Sequence, residues 1–230
     1  GAPIEGAVCT FLLPYWGQGK QFNDGSGKLT LDKSAAVKGL QNWLTMVDQG
    51  VIKKNVAEVT TPVPVNEFKA GQAVFAINWG FAFDRFKDDA DSKVKGNVGV
   101  MPLPAMTGGK SATCMGGWQW AMNAYGKNKD AAGKLIQFLS SKEASAFIAR
   151  EGSILPVFQS VYSDPAVNKA VPWFKDALPV VLGAQSRPMV EDYGQVSDII
   201  RTTTSAVLAR TKTPEAGVDE IAASVGRLMR

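Results

Sequence analysis

Apolar positions recur at helical spacing along much of the chain. Val37, Leu40, Leu44 and Val47 mark one face of a helix that begins at an Asp32 or Ser34 cap and stops at Gly50. Ala131, Ala132, Leu135, Ile136 and Leu139 mark another, with Asn128 to Asp130 as its expected cap. A third follows over about 142–151, with Ala144, Phe147 and Ile148 inward and Gly152 as its stop. Val196, Ile199, Ile200, Thr203 and Val207 predict a long helix over about 193–209. Thr213-Pro214 is a cap with proline at the first helical position, and it opens a last helix facing inward with Val218, Ile221, Ala222, Val225 and Leu228.

Between these helices the pattern changes. Residues 73–78, Ala-Val-Phe-Ala-Ile-Asn, form an apolar run of the length and kind expected for a strand buried on both faces of a mainly parallel sheet. Residues 29–31 and 98–101 are shorter strand candidates, the second closed by Pro102 and Pro104. Residues 1–27 read as a short helix or loop ending in the polar turn 23–27. Its opening, Ile4-Glu5-Gly6-Ala7-Val8-Cys9, is apolar and uncapped, and predicts a piece of something longer.

Composition narrows the function. The chain has 230 residues, 45% of them hydrophobic, enough for a substantial core in one large or two ordinary domains. Net charge is +4 and the basic residues are dispersed, so no patch tracks a phosphate backbone and nucleic acid is not expected as a partner. No apolar run reaches the ~18 residues of a membrane span. Cys9 and Cys114 have no spacing that decides between a disulfide and two buried thiols.

The absence of histidine removes the commonest general base, imidazole activation of Ser or Cys, and most zinc sites. Residues 107–111, Thr-Gly-Gly-Lys-Ser, resemble the tail of a phosphate-binding loop, but proline stands at 104 where that motif needs glycine. A glycosidase needs only two carboxylates, yet Glu5, Glu58, Glu67, Glu191 and Asp192 sit in segments with no evident common site. No catalytic residue, cofactor or metal site is therefore assigned.

The most suggestive chemistry is Gly116-Gly117-Trp118. Two glycines let backbone approach a ligand closely while an indole offers a flat apolar face. A sugar has the complementary surface, a C–H face and a rim of hydroxyls. Core packing of Trp118 and Trp120 is the alternative. Trp79 and Phe81 follow the carboxyl end of the 73–78 run, where ligands sit in open α/β sheets, although core packing is the default for Phe83 and Phe86.

Residues 66–79, 98–104 and 116–118, the helix carrying Ala131-Ala132 and Phe138-Leu139, and Arg187-Pro188 before two closing helices occur together. This combination resembles the extracellular solute-binding proteins of ABC sugar importers, in particular the trehalose/maltose-binding branch. The resemblance implies an α/β, periplasmic-binding-protein-like two-lobe fold of type II, of which this chain is a C-terminal fragment. It places 1–107 and 161–230 in the second lobe and 108–160 in the first. It implies a noncatalytic protein that encloses a disaccharide such as trehalose or maltose, with Trp79, Phe81, Gly116, Gly117, Trp118 and Arg187 as ligand contacts. Phe81 stands where related proteins can carry Tyr, which leaves that ring without a hydroxyl. The implied partners are the sugar, the ABC permease subunits and the missing N-terminal part of the same protein. The implied location is periplasmic or extracellular, with a lipid anchor as one mode of attachment. A glycoside-acting enzyme and a noncatalytic surface module are the two alternatives.

Overall fold

A computed structural model describes residues 2–229. In chain order the helices are α1 (Gly6–Trp16), α2 (Lys33–Asp48), α3 (Pro62–Lys69), α4 (Ala82–Asp88), α5 (Lys129–Leu139), α6 (Lys142–Gly152), α7 (Pro165–Ala170), α8 (Phe174–Leu182), α9 (Tyr193–Leu208) and α10 (Pro214–Leu228). Two short strands, β1 (Thr113–Cys114) and β2 (Ala184–Gln185), pair in parallel. The chain divides into two compact units, one of residues 1–64, 102–115 and 183–230, the other of 65–101 and 116–182. These boundaries are drawn differently from the lobe segments that the resemblance implies.

The first unit is built on α1, α2, α9 and α10, each packed on two or three of the others. The spacing rule works well here. Leu40 and Val47 of α2 are buried, as are Val196, Ile200 and Val207 of α9 and Val218, Ile221 and Val225 of α10. Residues 1–27 contain a full helix, α1, whose Val8, Phe11, Leu12 and Tyr15 have almost no exposure. Pro14 lies in its last turn, where the ring meets α2 so closely that a Cβ on Gly39 would come within 3.2 Å of it. Two of the predicted caps form: Asp32 accepts from the Ala35 N–H at 3.0 Å and Thr213 from the Ala216 N–H at 3.2 Å, whereas the cap expected at 128–130 makes no side-chain hydrogen bond to α5. The sequence left Cys9 and Cys114 open between a disulfide and two thiols, and the fold pairs them. Their Cα atoms are 5.9 Å apart, and the bond ties α1 to β1.

The second unit has its core in Ala149, Val161, Tyr162, Val167, Val171, Trp173, Phe174 and Ala177. A smaller cluster of Val65, Ala82 and Phe86 lies under Phe68, Ala76, Val94 and Val98. The expected strands at 73–78 and 98–101 do not form. Ala76 and Val98 pack inward, but Val74 and Phe75 are 83% and 76% exposed. A strand exists only through a neighbour's N–H and C=O groups, and no described segment supplies them to these runs. Residues 29–31 likewise make one isolated bridge, Asn23 to Leu29. On α5 no residue is buried, and Leu135 stands 56% exposed, against the inward face its spacing predicts. Phe147 of α6 is exposed too, while Ala144 and Ala149 take the inward positions.

Tyr162 is a buried exception to hydrogen-bond satisfaction. Its hydroxyl finds no partner among the described residues, and burial pushes its pKa up to about 12. Tyr162→Phe keeps the ring near Phe174, at 5.8 Å between centroids. The expected result in urea denaturation is unchanged or higher stability, by up to about 1 kcal/mol. In the parent the unfolded phenol loses its proton near 10 and the folded one near 12, so stability falls as pH rises through that window. The Phe variant lacks this component of the alkaline loss.

Candidate functional site

Trp79, Phe81, Gly116, Gly117 and Trp118 all belong to the second unit. The loop bearing Trp79 and Phe81 is fixed from both ends. Asn78 turns its side-chain oxygen back to accept from the Trp79 N–H at 2.8 Å. The Trp79 carbonyl accepts from the Ala82 N–H at 3.0 Å, and α4 follows. Gly80 faces Leu155, where a Cβ would lie 2.6 Å from a methyl carbon, so a larger residue would have to displace the Leu155 side chain. Phe83, one turn on, stacks on Trp173 at 4.6 Å between centroids. Core packing thus takes Phe83 and Phe86, while Phe81 remains 49% exposed.

Trp79 and Gly116 are brought together. A Cβ on Gly116 would lie 2.6 Å from the Trp79 ring, so the indole rests directly on glycine backbone. Gly117 has open space around it, and its neighbour Trp118 is fully exposed, at 103%. Trp120 is also exposed. The core alternative for Trp118 and Trp120 therefore does not hold among the described residues. The result is a half-buried Trp79 ring seated on glycine backbone and an exposed Trp118 two residues past that glycine, apolar faces of the kind a sugar's C–H face can meet.

Arg187 belongs to the first unit and lies just beyond β2. There β1 and β2 are extended by the Met115 N–H donating to the Gln185 carbonyl at 2.8 Å. Arg187 Nη1 donates to Glu5 Oε1 at 2.8 Å. The same carboxylate accepts from the Tyr193 hydroxyl and, through Oε2, from Ser197 Oγ. Tyr193 and Ser197 are four residues apart on α9, and so share a face. Arg201, one further turn along, donates to the Pro3 carbonyl at 2.5 Å and pairs with Asp198 at 2.7 Å, which pins the segment carrying Glu5. In the sequence Glu5 stands only among carboxylates with no evident common site, and Tyr193 only as the start of a helix. No spacing links residue 5 to residues 187–197, and the contact exists only because α1 packs on α9.

Desolvation raises the Tyr193 pKa, with the Glu5 hydrogen bond and charge adding to it and Arg187 and Ser197 opposing. Among the described residues no group of His, Cys, Asp and Glu could hold a metal ion, and no helix is long and apolar enough to cross a membrane. A hollow between α2 and α10 is lined by Lys33, Gln41, Glu215 and Asp219 and has no aromatic ring, so it offers no flat apolar face for a ligand ring.

Residues 6–146 match the family described as bacterial extracellular solute-binding protein. A probable ABC transporter-binding protein of Deinococcus radiodurans is 33% identical over 237 residues, covering 99% of this chain and 55% of that protein. A probable amino-acid ABC transporter periplasmic-binding protein of Sinorhizobium fredii is 26% identical, covering 100% of this chain and 52% of that one. The chain thus spans about half the length of the curated relatives it matches. Among solved structures, maltose-bound MalE3 of T. maritima superposes with a TM-score of 0.91 at 35% identity, covering 99% of this chain and 59% of that one. A solute-binding protein of Thermotoga lettingae bound to α-D-tagatose gives a TM-score of 0.84 at 20% identity, which speaks to fold alone. These likenesses identify the α/β, two-lobe periplasmic-binding-protein fold, although the described residues themselves are mostly helical with one two-stranded sheet.

Proposed function

The chain belongs to the bacterial extracellular solute-binding proteins, and from that premise we propose that it is part of the sugar-binding component of an ABC importer. The family is one of noncatalytic binding proteins, periplasmic or extracellular, so the enzyme alternative is set aside. The ligand in our reading is a neutral sugar, with a disaccharide such as maltose or trehalose as the preferred candidate. The observation that carries it is the uncovered Trp118, two residues after the glycine on which the Trp79 ring is seated. Likeness to a maltose-bound structure at 35% identity supports the same choice.

Phe81 adds apolar surface, the Gly116-Gly117 backbone allows close approach, and Arg187 donates to hydroxyls with the N–H groups that Glu5 leaves uncommitted. The proposal assigns 1–107 and 161–230 to the second lobe and 108–160 to the first. Lobes are defined by contacts across the whole protein, whereas the compact units here reflect contacts within this chain. The part of the family's length that this chain does not span supplies the remaining ligand contacts. It also supplies partners for the apolar 73–78 run. Sugar contacted by both lobes favours the closed state, and closure presents the protein to the permease subunits. Lipid attachment is a further element of the proposal, tested by labelling with radioactive palmitate in cells.

Isothermal titration calorimetry with maltose, trehalose, sucrose and glucose tests this reading. It is run on the chain alone and with the amino-terminal part of the D. radiodurans relative supplied. Binding that strengthens on complementation is the expected result, and indifference to every sugar in both settings overturns it. Trp118→Ala should weaken binding by about 1–3 kcal/mol through loss of ring contact. Unchanged affinity removes Trp118 from the site.

A further inference from the structure

Glu5 lies immediately before α1 but does not cap it, because its side chain accepts no hydrogen bond from that helix. The carboxylate instead gathers three donors from the far end of the chain: Arg187 Nη1, the Tyr193 hydroxyl and Ser197 Oγ. Both oxygens are engaged. Glu5 keeps 44% side-chain exposure and Arg187 keeps 25%, so the pair meets solvent as a joined, internally neutralised group.

We propose that Glu5 is a positioning residue that makes the Arg187 side of the site selective for uncharged, hydroxyl-rich ligands over carboxylated ones. This rests on the reading above that Arg187 faces the ligand. An unpaired guanidinium is a rigid fork that takes a carboxylate in two parallel hydrogen bonds. With Nη1 committed to Glu5, the end-on fork of Nη1 and Nη2 is taken from within the protein, and the Nε–Nη2 edge that remains lies next to the Glu5 charge. The remaining N–H groups still serve single hydroxyl oxygens. An incoming carboxylate would also meet the Glu5 charge at close range, a repulsion that a neutral polyol does not meet. Tyr193 and Ser197 hold the carboxylate from the α9 side, so it cannot swing away to release the fork.

The chemistry identifies the excluded class as sugar acids and free amino acids. It thereby separates this chain from a binder of amino acids, which one relative is described to be.

The test compares maltose with maltobionate, which has a similar carbon skeleton with a carboxylate at the reducing end. Both are titrated into the complemented protein as wild type, Glu5→Gln and Glu5→Asp. Gln is nearly isosteric and can still bridge Tyr193 and Ser197, but it carries no charge. Wild type and Glu5→Asp should prefer maltose, whereas Glu5→Gln should shift the preference toward maltobionate by about tenfold. An identical maltose-to-maltobionate ratio in wild type and Glu5→Gln overturns the inference while leaving the sugar-binding reading in place. If wild type binds neither ligand, the reading of Arg187 falls and takes this inference with it.

A second readout needs no ligand. Titration of Tyr193, followed by NMR of the ring in the chain alone, should move toward the ordinary tyrosine range in Glu5→Gln, since two of the causes raising it involve Glu5. An unmoved Tyr193 titration shows that the carboxylate does not engage the phenol, and that also overturns the inference.

Discussion

Replacing both cysteines, Cys9→Ala with Cys114→Ala, is expected to lower the stability of the unit formed by residues 1–64, 102–115 and 183–230 by about 4 kcal/mol. The bond joins positions 105 residues apart, and closing so long a loop removes a large amount of freedom from the unfolded chain. Both half-cystines are buried, at 6% and 7% exposure, so alanine leaves no polar group stranded. The bond also secures β1, a strand of two residues whose ladder is otherwise limited to β2. Urea denaturation of the double variant, and of the parent under reductant, measures the effect. Equal losses in the two experiments identify the cross-link as the cause. A loss below about 1 kcal/mol in both would mean that the α1, α2, α9 and α10 core holds β1 unaided. An extracellular family has the oxidising surroundings in which such a bond persists.

Phe174→Ala should cost about 3–5 kcal/mol in the other unit. Phe174 has no exposure and sits edge-on to Trp173 at 4.8 Å and near Tyr162 at 5.8 Å between centroids. Removing its ring leaves a cavity among side chains that cannot close over it without moving. The consequence reaches the candidate site, because Trp173 stacks on Phe83 and lies beside Gly80, and these two residues anchor the loop bearing Trp79 and Phe81. Hydrogen exchange should therefore rise at residues 79–83 as well as in α8. A stability loss confined to α8, with no change at 79–83, would show that the loop is held independently of that core.

Three of the four helices of the first unit, α2, α9 and α10, were readable because each buries one stripe at a period the chain records locally, whereas α1 is buried nearly all round and its sequence left it between a short helix and a loop. Leu40, Val196, Ile200, Val218 and Ile221 lie where their spacing puts them. Asp32 and Thr213 act within three residues of themselves, so their caps were readable as well. The 73–78 run was read as a buried strand for a sound reason, since its side chains are those of one. A strand's existence, however, depends on a neighbour that local sequence does not name. The same limit applies to α5, whose apolar face is recorded in sequence while its covering surface is not.

At the candidate site, the residue types were legible and the relations among them were not. Gly116-Gly117-Trp118 announced an aromatic surface beside open backbone, and the combination of motifs pointed to the family. That Trp79 rests on Gly116 rather than on Gly117 depends on how residues 79 and 116 meet, 37 positions apart in the chain. The Glu5 cluster is the extreme case, since it unites the first residues with α9. Sequence by itself determined helices α2, α9 and α10, the Asp32 and Thr213 caps and the ring-and-glycine residue types, because those properties reside in a few neighbouring residues. Only the tertiary structure decided the Cys9–Cys114 pairing, the exposure of Trp118 and the partner of Arg187, because each depends on distant segments meeting as their apolar faces leave water.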